Sequence, residues 1–345
     1  RDVERSRGLG DVYKRQLVHD TSSSGATVFI EPVSVVEANN DIKMLQGKER
    51  DEIQRILFEL SADAGNFDES IKASYDSAVR INLIFAKAQL AYKMKATKPI
   101  LNDEGMIELK NARHPLIDPK KVVPTNISLG IDFDTLVITG PNTGGKTVSI
   151  KTVGLFTLMA QCGLLLPVSD RSKVSVFNNI LVDVGDEQSI QQSLSTFSSH
   201  MVNIIDIMKR ADEKSLVLID ELGAGTDPVE GAALAVSIIE NLRSKGAKIA
   251  ATTHYAELKA YALETDGVSN GCCEFDVETL RPTYRLLIGV PGRSNAFAIV
   301  AHLGMDRFVV ENAKGIVGNE TRSFEAVLEQ LEAVSYTHLR AHETS

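Results

Sequence analysis

Residues 135–147 read TLVITGPNTGGKT, a pattern that predicts the class of fold for the residues around it. It opens with a short run of apolar and β-branched side chains from Leu136 to Thr139, which is typical of a buried strand. A cluster of Gly, Pro and Asn residues stops the run, and a helical pattern begins at Lys146. The sequence therefore predicts a strand, a glycine-rich loop and a helix in succession.

The loop from Gly140 to Thr147 matches the Walker A pattern G-x-x-x-x-G-K-[ST] in full. Glycines let backbone N–H groups turn inward around phosphate oxygens, and the N-terminus of the following helix favours negative charge. We expect Lys146 to reach the β- and γ-phosphates of ATP and to act in catalysis, and Thr147 to offer its hydroxyl to Mg²⁺. The alternative is a glycine-rich turn that matches by chance, which the flanking strand and helix disfavour.

Two later strands end in candidate catalytic residues. The apolar run Leu216–Ile219 leads to Asp220, expected to hold Mg²⁺, and to Glu221, expected to act as general base toward the attacking water. The alternative is a strand that ends in two solvated acids. The run Lys248–Thr252 leads to His254, which we expect to sense the γ-phosphate and orient the water. A histidine at a strand end is otherwise more often a structural hydrogen-bonding group.

Composition limits the classes of protein to consider. A chain of 345 residues is long enough for two or three domains. Its formal net charge of -9 argues against an electrostatically driven nucleic-acid binder, although it leaves room for a local basic face. The three cysteines, two of them adjacent at Cys272 and Cys273, predict reduced thiols in a cytoplasmic protein rather than a disulfide framework or a metal site. Because no apolar run approaches the ~18 residues of a membrane span, we expect no membrane partner.

The chain is expected to have five parts. Residues 1–16 lack a hydrophobic period and residues 334–345 resemble translated sequencing-adapter read-through, so both are predicted to be non-native, with the native protein extending beyond them. Residues 36–98 have a helical pattern, which predicts either an antiparallel pair with a break at Gly65-Asn66 or a coiled-coil lever. The family resemblance described below implies that residues 17–98 form a partial core and a helical lever. Residues 99–320 alternate strands and helices, which predicts an α/β domain with a largely parallel sheet. Residues 321–333 are predicted to begin a helical linker.

The individual elements follow from hydrophobic period and turn residues. The predicted strands are 25–30, 106–109, 135–139, 173–177, 180–184, 215–220, 248–252 and 283–288, and the predicted helices within residues 99–320 are 147–161, 197–209 and 231–244.

Several motifs resemble those of the MutS family of ABC-type ATPases. They are NARHP at 111–115, GPNTGGKT at 140–147, DELGAGT at 220–226 and THY at 253–255. Other stretches are similar to the second type of MutS, and these are VHD at 18–20, FIEP at 29–32, DVGDEQSI at 183–190, SLSTFSSHM at 193–201 and GVPGRSNAF at 289–297. The resemblance runs from residue 17 to residue 333. It implies an ABC-type P-loop ATPase domain preceded by an α-helical core and lever arm.

The resemblance also implies a homodimer that closes two ATP molecules between its subunits. In such a dimer the ATP-binding residues of one subunit would be Gly140, Pro141, Asn142, Thr143, Gly144, Gly145, Lys146, Thr147 and Val148. Ser195, Thr196 and Phe197 would open a signature helix that meets the γ-phosphate bound by the other subunit, although Ser195 alone is also compatible with a simple N-cap. Asp227 would act across the dimer, and Val123 and Tyr284 would contact adenine.

The family's activity follows as an expectation for the whole protein. The resemblance implies a dimeric clamp that binds DNA or the ribosome and its RNA, driven by ATP, with roles in suppressing homologous recombination and rescuing collided ribosomes. The C-terminal Smr nuclease domain of the branch is absent from this sequence, as is the mismatch-reading domain of the repair-type branch. The alternatives are a mismatch-repair MutS ATPase, a transporter-type ABC subunit and a scaffold without activity. The stretch from Ser193 to Met201 lacks the LSGGQ-like signature expected of a transporter subunit.

Overall fold

The computed structural model describes residues 16–21, 28–140, 144–185, 196–276, 279, 281–292 and 296–316. The chain divides into two compact units, residues 1–83 and residues 84–345. Within the described residues, no helix is long and apolar enough to cross a membrane.

The first unit contains a β-hairpin and the beginning of a long helical segment. Strands β1 (Gln16–Thr21) and β2 (Val28–Pro32) pair antiparallel, and β1 begins at the last residue of the segment predicted to be non-native. Helix α1 (Val33–Asn66) follows Pro32 directly, and helix α2 (Asp68–Met94) runs on into the second unit. The predicted break at Gly65-Asn66 is confirmed, because α1 ends at Asn66 and Phe67 separates the two helices.

The second unit is an α/β structure whose remaining elements we number in chain order. The strands are β3 (Ile100–Asn102), β4 (Ile107–Ala112), β5 (Thr125–Leu129), β6 (Thr135–Thr139), β7 (Lys173–Ser175), β8 (Asn179–Asp183), β9 (Ser215–Ile219), β10 (Lys248–Thr252), β11 (Val268–Asp276) and β12 (Arg281–Ile288). The helices are α3 (Lys146–Gln161), α4 (Thr196–Arg210), α5 (Pro228–Ser244), α6 (Ala256–Glu264), α7 (Ala296–His302) and α8 (Arg307–Ile316).

The central sheet has six strands in the order β12-β11-β6-β10-β9-β8. Every neighbouring pair is parallel except β11 with β12, so the prediction of a largely parallel sheet is confirmed for this sheet. A second, mixed sheet of four strands has the order β3-β7-β4-β5. Strand β10 lies between β6 and β9, although it follows both in the chain. This order brings three loops together at one edge of the sheet.

Strands β6 and β9 are apolar on both faces because both faces are covered. Leu136 and Ile138 belong to a core with α3 and the four-stranded sheet, whereas Val137 belongs to a core with α4, α5 and α6. Successive side chains of a strand point to opposite faces, so a continuous apolar run suits a strand buried between two layers. The same reason explains the burial of all five residues of Ser215–Ile219.

Several elements were not predicted, namely β1, β3, β5, β11, α6, α7 and α8. The largest omission is β11, whose sequence VSNGCCEFD contains Asn, Gly, two Cys and two acids and therefore lacks a clear strand pattern. It forms a strand because it lies between β6 and β12, which satisfy its backbone hydrogen bonds. Smaller corrections concern element ends: the predicted strand 173–177 ends at Ser175, and the predicted helix 231–244 begins earlier, at Pro228.

Candidate functional site

The candidate site lies where β6, β10 and β9 end side by side. In parallel sheets the loops that follow the carboxyl ends of neighbouring strands form the ligand-binding edge. Gly140 follows β6 with φ 129°, and a Cβ there would lie 3.6 Å from the backbone oxygen of Cys273 on β11. Gly145 has φ 97° and is the N-cap of α3. Both glycines thus occupy backbone conformations that other residues rarely adopt.

Lys146 is the first residue of α3 and is almost completely buried, with 1% of its surface exposed. Its Nζ donates to the carbonyl oxygen of Gly140 at 2.6 Å and lies 3.0 Å from Nε2 and 3.3 Å from Nδ1 of His254. Burial lowers the pKa of Lys146 to about 8, although Glu221 and Asp220 nearby raise it in part. A buried ammonium group with this environment is suited to receive an anion.

Asp220, the residue after β9, has each carboxylate oxygen bound by a different threonine. Thr147 donates its hydroxyl to Oδ2 of Asp220 at 2.6 Å, and Thr252 at the end of β10 donates its hydroxyl to Oδ1. The hydroxyl of Thr252 also accepts the backbone N–H of Glu221 at 2.8 Å. The carboxylate of Asp220 is therefore connected to the first turn of α3 on one side and to β10 on the other, and the backbone of Glu221 is connected to β10.

Glu221 and His254 face each other across the ends of β9 and β10. Oε1 of Glu221 lies 3.7 Å from Nε2 of His254. Burial and the neighbouring Lys146 lower the pKa of His254, although Glu221 opposes this shift. The imidazole is therefore neutral at neutral pH and can accept a hydrogen bond from Lys146 through its unprotonated nitrogen. Glu221 itself has φ 53°, which is uncommon for a residue other than glycine.

The three residues at the tip of the loop, Pro141, Asn142 and Thr143, lie outside the described residues. Gly144 is buried, and Val148 is exposed on the first turn of α3.

The predicted signature begins just outside the described residues. Ser195 is not among them, whereas Thr196 is the first residue of α4 as expected. Phe197 packs close to Gly225, where a Cβ would lie 3.1 Å from the Cβ of Phe197. The carboxylate of Asp227 accepts the backbone N–H groups of Val229 and Glu230 at 3.0 and 3.3 Å. Asp227 therefore caps α5, and a role across a dimer remains a prediction.

The two residues expected near adenine both lie close to Thr125, and Tyr284 also lies close to the glycine-rich loop. The hydroxyl of Thr125 is 3.4 Å from the carbonyl oxygen of Val123 and 3.5 Å from that of Tyr284. A Cβ on Gly145 would lie 3.4 Å from Cδ1 of Tyr284, whose side chain is half exposed. An exposed aromatic ring beside the glycine-rich loop is compatible with stacking against a base.

Sequence reasoning missed a second group of polar residues behind the carboxylates. The buried carboxylate of Asp183, at the end of β8, accepts hydrogen bonds from Nδ1 of His200 at 2.9 Å and from Nδ2 of Asn203 at 2.8 Å. The carbonyl oxygen of Asp183 accepts the backbone N–H of Asp220 at 2.8 Å. Thr252 was missed as well. The available signal was the same in both cases, a polar residue directly at the end of an apolar strand.

The residues present fit a nucleotide with Mg²⁺. The donors brought together at Thr147 and Asp220 are a hydroxyl and a carboxylate, the oxygen ligands that Mg²⁺ prefers. The glycine backbone at Gly140 and Gly145, the helix N-terminus and the buried Lys146 fit phosphate oxygens. Both fits rest on the chemistry of the groups at the site.

Comparison with known proteins agrees with the motifs. The profile of the family described as MutS domain V matches residues 136–319. A protein called endonuclease MutS2 from Caldanaerobacter subterraneus subsp. tengcongensis is 56% identical over 316 residues. Proteins of the same name from Clostridium botulinum and Lachnospira eligens are each 57% identical, over 319 and 316 residues.

These alignments cover 92% of this chain and 40% of each relative, so the chain spans less than half the length of the relatives it matches. The family profile begins inside β6 and covers the glycine-rich loop, both carboxylates, His254 and strands β7 to β12. On this evidence, the chain belongs to the MutS family, in the branch whose members are called MutS2.

Proposed function

We propose that this chain binds ATP with Mg²⁺ and hydrolyses it through an ABC-type P-loop site. The observation that carries the proposal is the convergence of Lys146, Thr147, Asp220, Glu221 and His254 on one edge of the sheet. These residues lie in the first turn of α3 and in the segments that follow β9 and β10. Their side chains meet in three pairs, which are Lys146 with His254, Thr147 with Asp220, and Glu221 with His254. A buried ammonium, a hydroxyl–carboxylate pair and a second carboxylate beside a neutral imidazole are the groups that phosphoryl transfer to water requires.

Each residue has a distinct role in the proposed reaction. Lys146 binds phosphate oxygens and neutralises the negative charge that shifts toward the leaving group. Glu221 accepts a proton from the attacking water, and His254, which lies between Lys146 and Glu221, orients that water. Thr147 and Asp220 would hold Mg²⁺, which when bound supplies positive charge to the β- and γ-phosphates.

We propose further that two copies of the chain share the nucleotides. The signature residues Ser195, Thr196 and Phe197 would present a helix N-terminus to the γ-phosphate bound by the other copy, so ATP would hold the dimer closed. Asp227 would act across the same interface, and Val123 and Tyr284 would contact the adenine base. Hydrolysis would remove the γ-phosphate and release the two halves.

For the whole protein we propose an ATP-driven clamp on DNA or on the ribosome, with the helical lever carrying motion from the ATPase domain. One contact supports this direction of coupling. Lys87, in the part of α2 that belongs to the second unit, donates to the carbonyl oxygen of Cys162 at 2.6 Å. Cys162 is the C-cap of α3, whose other end carries Lys146. A movement of α3 would therefore reach α2.

The first test is Glu221→Gln, which removes the proposed general base and keeps the shape of the side chain. We expect ATP turnover to fall at least about 100-fold while ATP binding persists, because a general base contributes about 10²–10⁴-fold. The variant should also elute as a dimer when ATP is present, since the nucleotide is not consumed.

Glu264→Gln provides the matched control, because Glu264 is exposed at the end of α6. It should leave turnover unchanged. Undiminished turnover in the Glu221→Gln variant would contradict the proposed site. A separate measurement of ATP turnover by the wild-type chain, with added DNA or with added ribosomes, would indicate which of the two the clamp engages.

A further inference from the structure

Thr252 occupies a central position at the site edge and has no role in the motifs. It is the last residue of β10, the strand between β6 and β9, and its side chain is fully buried. It precedes His254 by two residues and is separated in sequence from Asp220 by 32 residues. The order of the strands, rather than the chain sequence, therefore places its hydroxyl between the other two strand ends.

The hydroxyl of Thr252 connects both carboxylate residues at once. It donates its hydrogen to Oδ1 of Asp220 and accepts the backbone N–H of Glu221 at 2.8 Å. A hydroxyl has one hydrogen to donate and lone pairs to accept with, so both bonds are compatible. The backbone of Thr252 adds a third contact, because its carbonyl oxygen accepts the N–H of Leu222 at 2.9 Å.

These bonds act on two features that the proposed reaction needs. The carboxylate of Asp220 is fixed in rotation because Thr147 binds Oδ2 at 2.6 Å while Thr252 binds Oδ1. The backbone of Glu221, with its uncommon φ of 53°, is held by the bond from its N–H to Thr252. An uncommon backbone conformation persists only where its surroundings impose it. Thr252 is the group that supplies this constraint from β10.

We infer that Thr252 is a positioning residue for hydrolysis, which orients the Mg²⁺-binding carboxylate of Asp220 and the general base Glu221 through a single hydroxyl. This inference rests on the proposed ATPase function and extends it to a residue outside the Walker motifs. The hydroxyl of Thr252 bonds to the two acids, so we expect its loss to slow the chemical step and to leave nucleotide affinity nearly unchanged.

The test compares Thr252→Val, which keeps the shape and removes the hydroxyl, with Thr252→Ser, which keeps the hydroxyl. Thr157→Val is the matched control, because Thr157 is equally buried but donates only to Val153 of its own helix, at 2.8 Å. In Thr252→Val we expect kcat to fall about 10- to 100-fold, the size of a lost hydrogen bond to a charged group. Thr252→Ser should stay within about threefold of the wild type, and Thr157→Val within about twofold.

A second readout separates positioning from folding. The dissociation constant of a fluorescent ATP analogue, measured with EDTA to remove Mg²⁺, should change less than about threefold in Thr252→Val. Loss of this binding would overturn the inference, since Thr252 would then support the fold. An unimpaired kcat in Thr252→Val, or a Thr252→Ser variant as slow as Thr252→Val, would overturn it as well. A wild-type chain that neither binds nor hydrolyses ATP would instead refute the proposed function itself.

Discussion

The loop after β9 shows how single residues determine the geometry of the site. Gly223 has φ 83°, and its carbonyl oxygen accepts the hydroxyl of Tyr255 at 2.8 Å. Tyr255 follows His254 in the chain, so this bond connects the loop after the carboxylates to the segment that carries the histidine. The packing is close, because a Cβ on Gly223 would lie 2.4 Å from the carbonyl oxygen of Gly231. Only glycine meets both conditions.

We therefore predict that Gly223→Ala lowers the free energy of unfolding by about 1–3 kcal/mol, since the residue is left in a strained conformation against backbone that has little freedom to move. Denaturant unfolding measures this directly. The control is Gly315→Ala on α8, where a Cβ would meet nothing within 4 Å. That variant should be as stable as the wild type or slightly more stable. Equal stability of Gly223→Ala and the wild type would contradict the geometry described.

At the scale of elements, α4 is attached to the end of β8 by a polar cluster. Asp183 is 5% exposed, and His200 and Asn203, one turn apart on α4, both bind its carboxylate. A buried carboxylate is costly unless its oxygens accept hydrogen bonds. Because the backbone of Asp183 also binds Asp220, the helix that would carry the signature is linked to the strand end that would carry Mg²⁺.

We predict that His200→Ala lowers the free energy of unfolding by about 1–3 kcal/mol, because one oxygen of Asp183 loses its donor in a buried position. The measurement is again denaturant unfolding. His302→Ala serves as the control, since His302 is exposed at the end of α7. If both variants unfold at the same denaturant concentration, the contact between α4 and β8 does not contribute to stability.

Element prediction from the sequence succeeded where the local pattern agreed with the tertiary environment. The bounds of β6 and β10 were predicted to the residue, because each is a short apolar run between turn residues. The bounds of α4 were predicted within one residue at each end. Strand β11 was not predicted, because its pairing with β6 and β12, rather than the pattern of its own side chains, makes it a strand. Sequence periodicity does not report pairing between distant segments.

At the scale of the whole molecule, the proposal requires two copies of the chain. Each nucleotide site would combine the glycine-rich loop of one copy with the signature of the other. Two inactive variants, one defective in the loop and the other in the signature, should therefore regain activity when they form a mixed dimer. In this arrangement the proposed signature would use the N-terminus of α4, where backbone N–H groups without a partner in their own helix would face the anion.

We predict complementation between Lys146→Met, which removes the phosphate-binding ammonium, and Ser195→Arg, which blocks the signature. Each variant alone should be inactive. A mixed dimer would retain one intact site out of two, so an equimolar mixture should recover about a quarter of wild-type turnover if subunits exchange randomly. The measurement is ATP turnover before and after mixing. No recovery, with subunit exchange demonstrated by a fluorescent label, would rule out a site shared in this way.

The family, the α/β class and the residues of the glycine-rich loop, the carboxylate pair and the histidine could all be predicted from the sequence. Each of these is a local pattern, in which residue types within a few positions of one another specify a strand, a turn or a helix start. Tertiary structure alone decided which strand ends lie side by side. Lys146 meets His254 although 108 residues separate them, and Thr252 meets Asp220 across 32. The strand order of a parallel sheet depends on how crossover helices pack on its two faces, and no local pattern of side chains encodes that order.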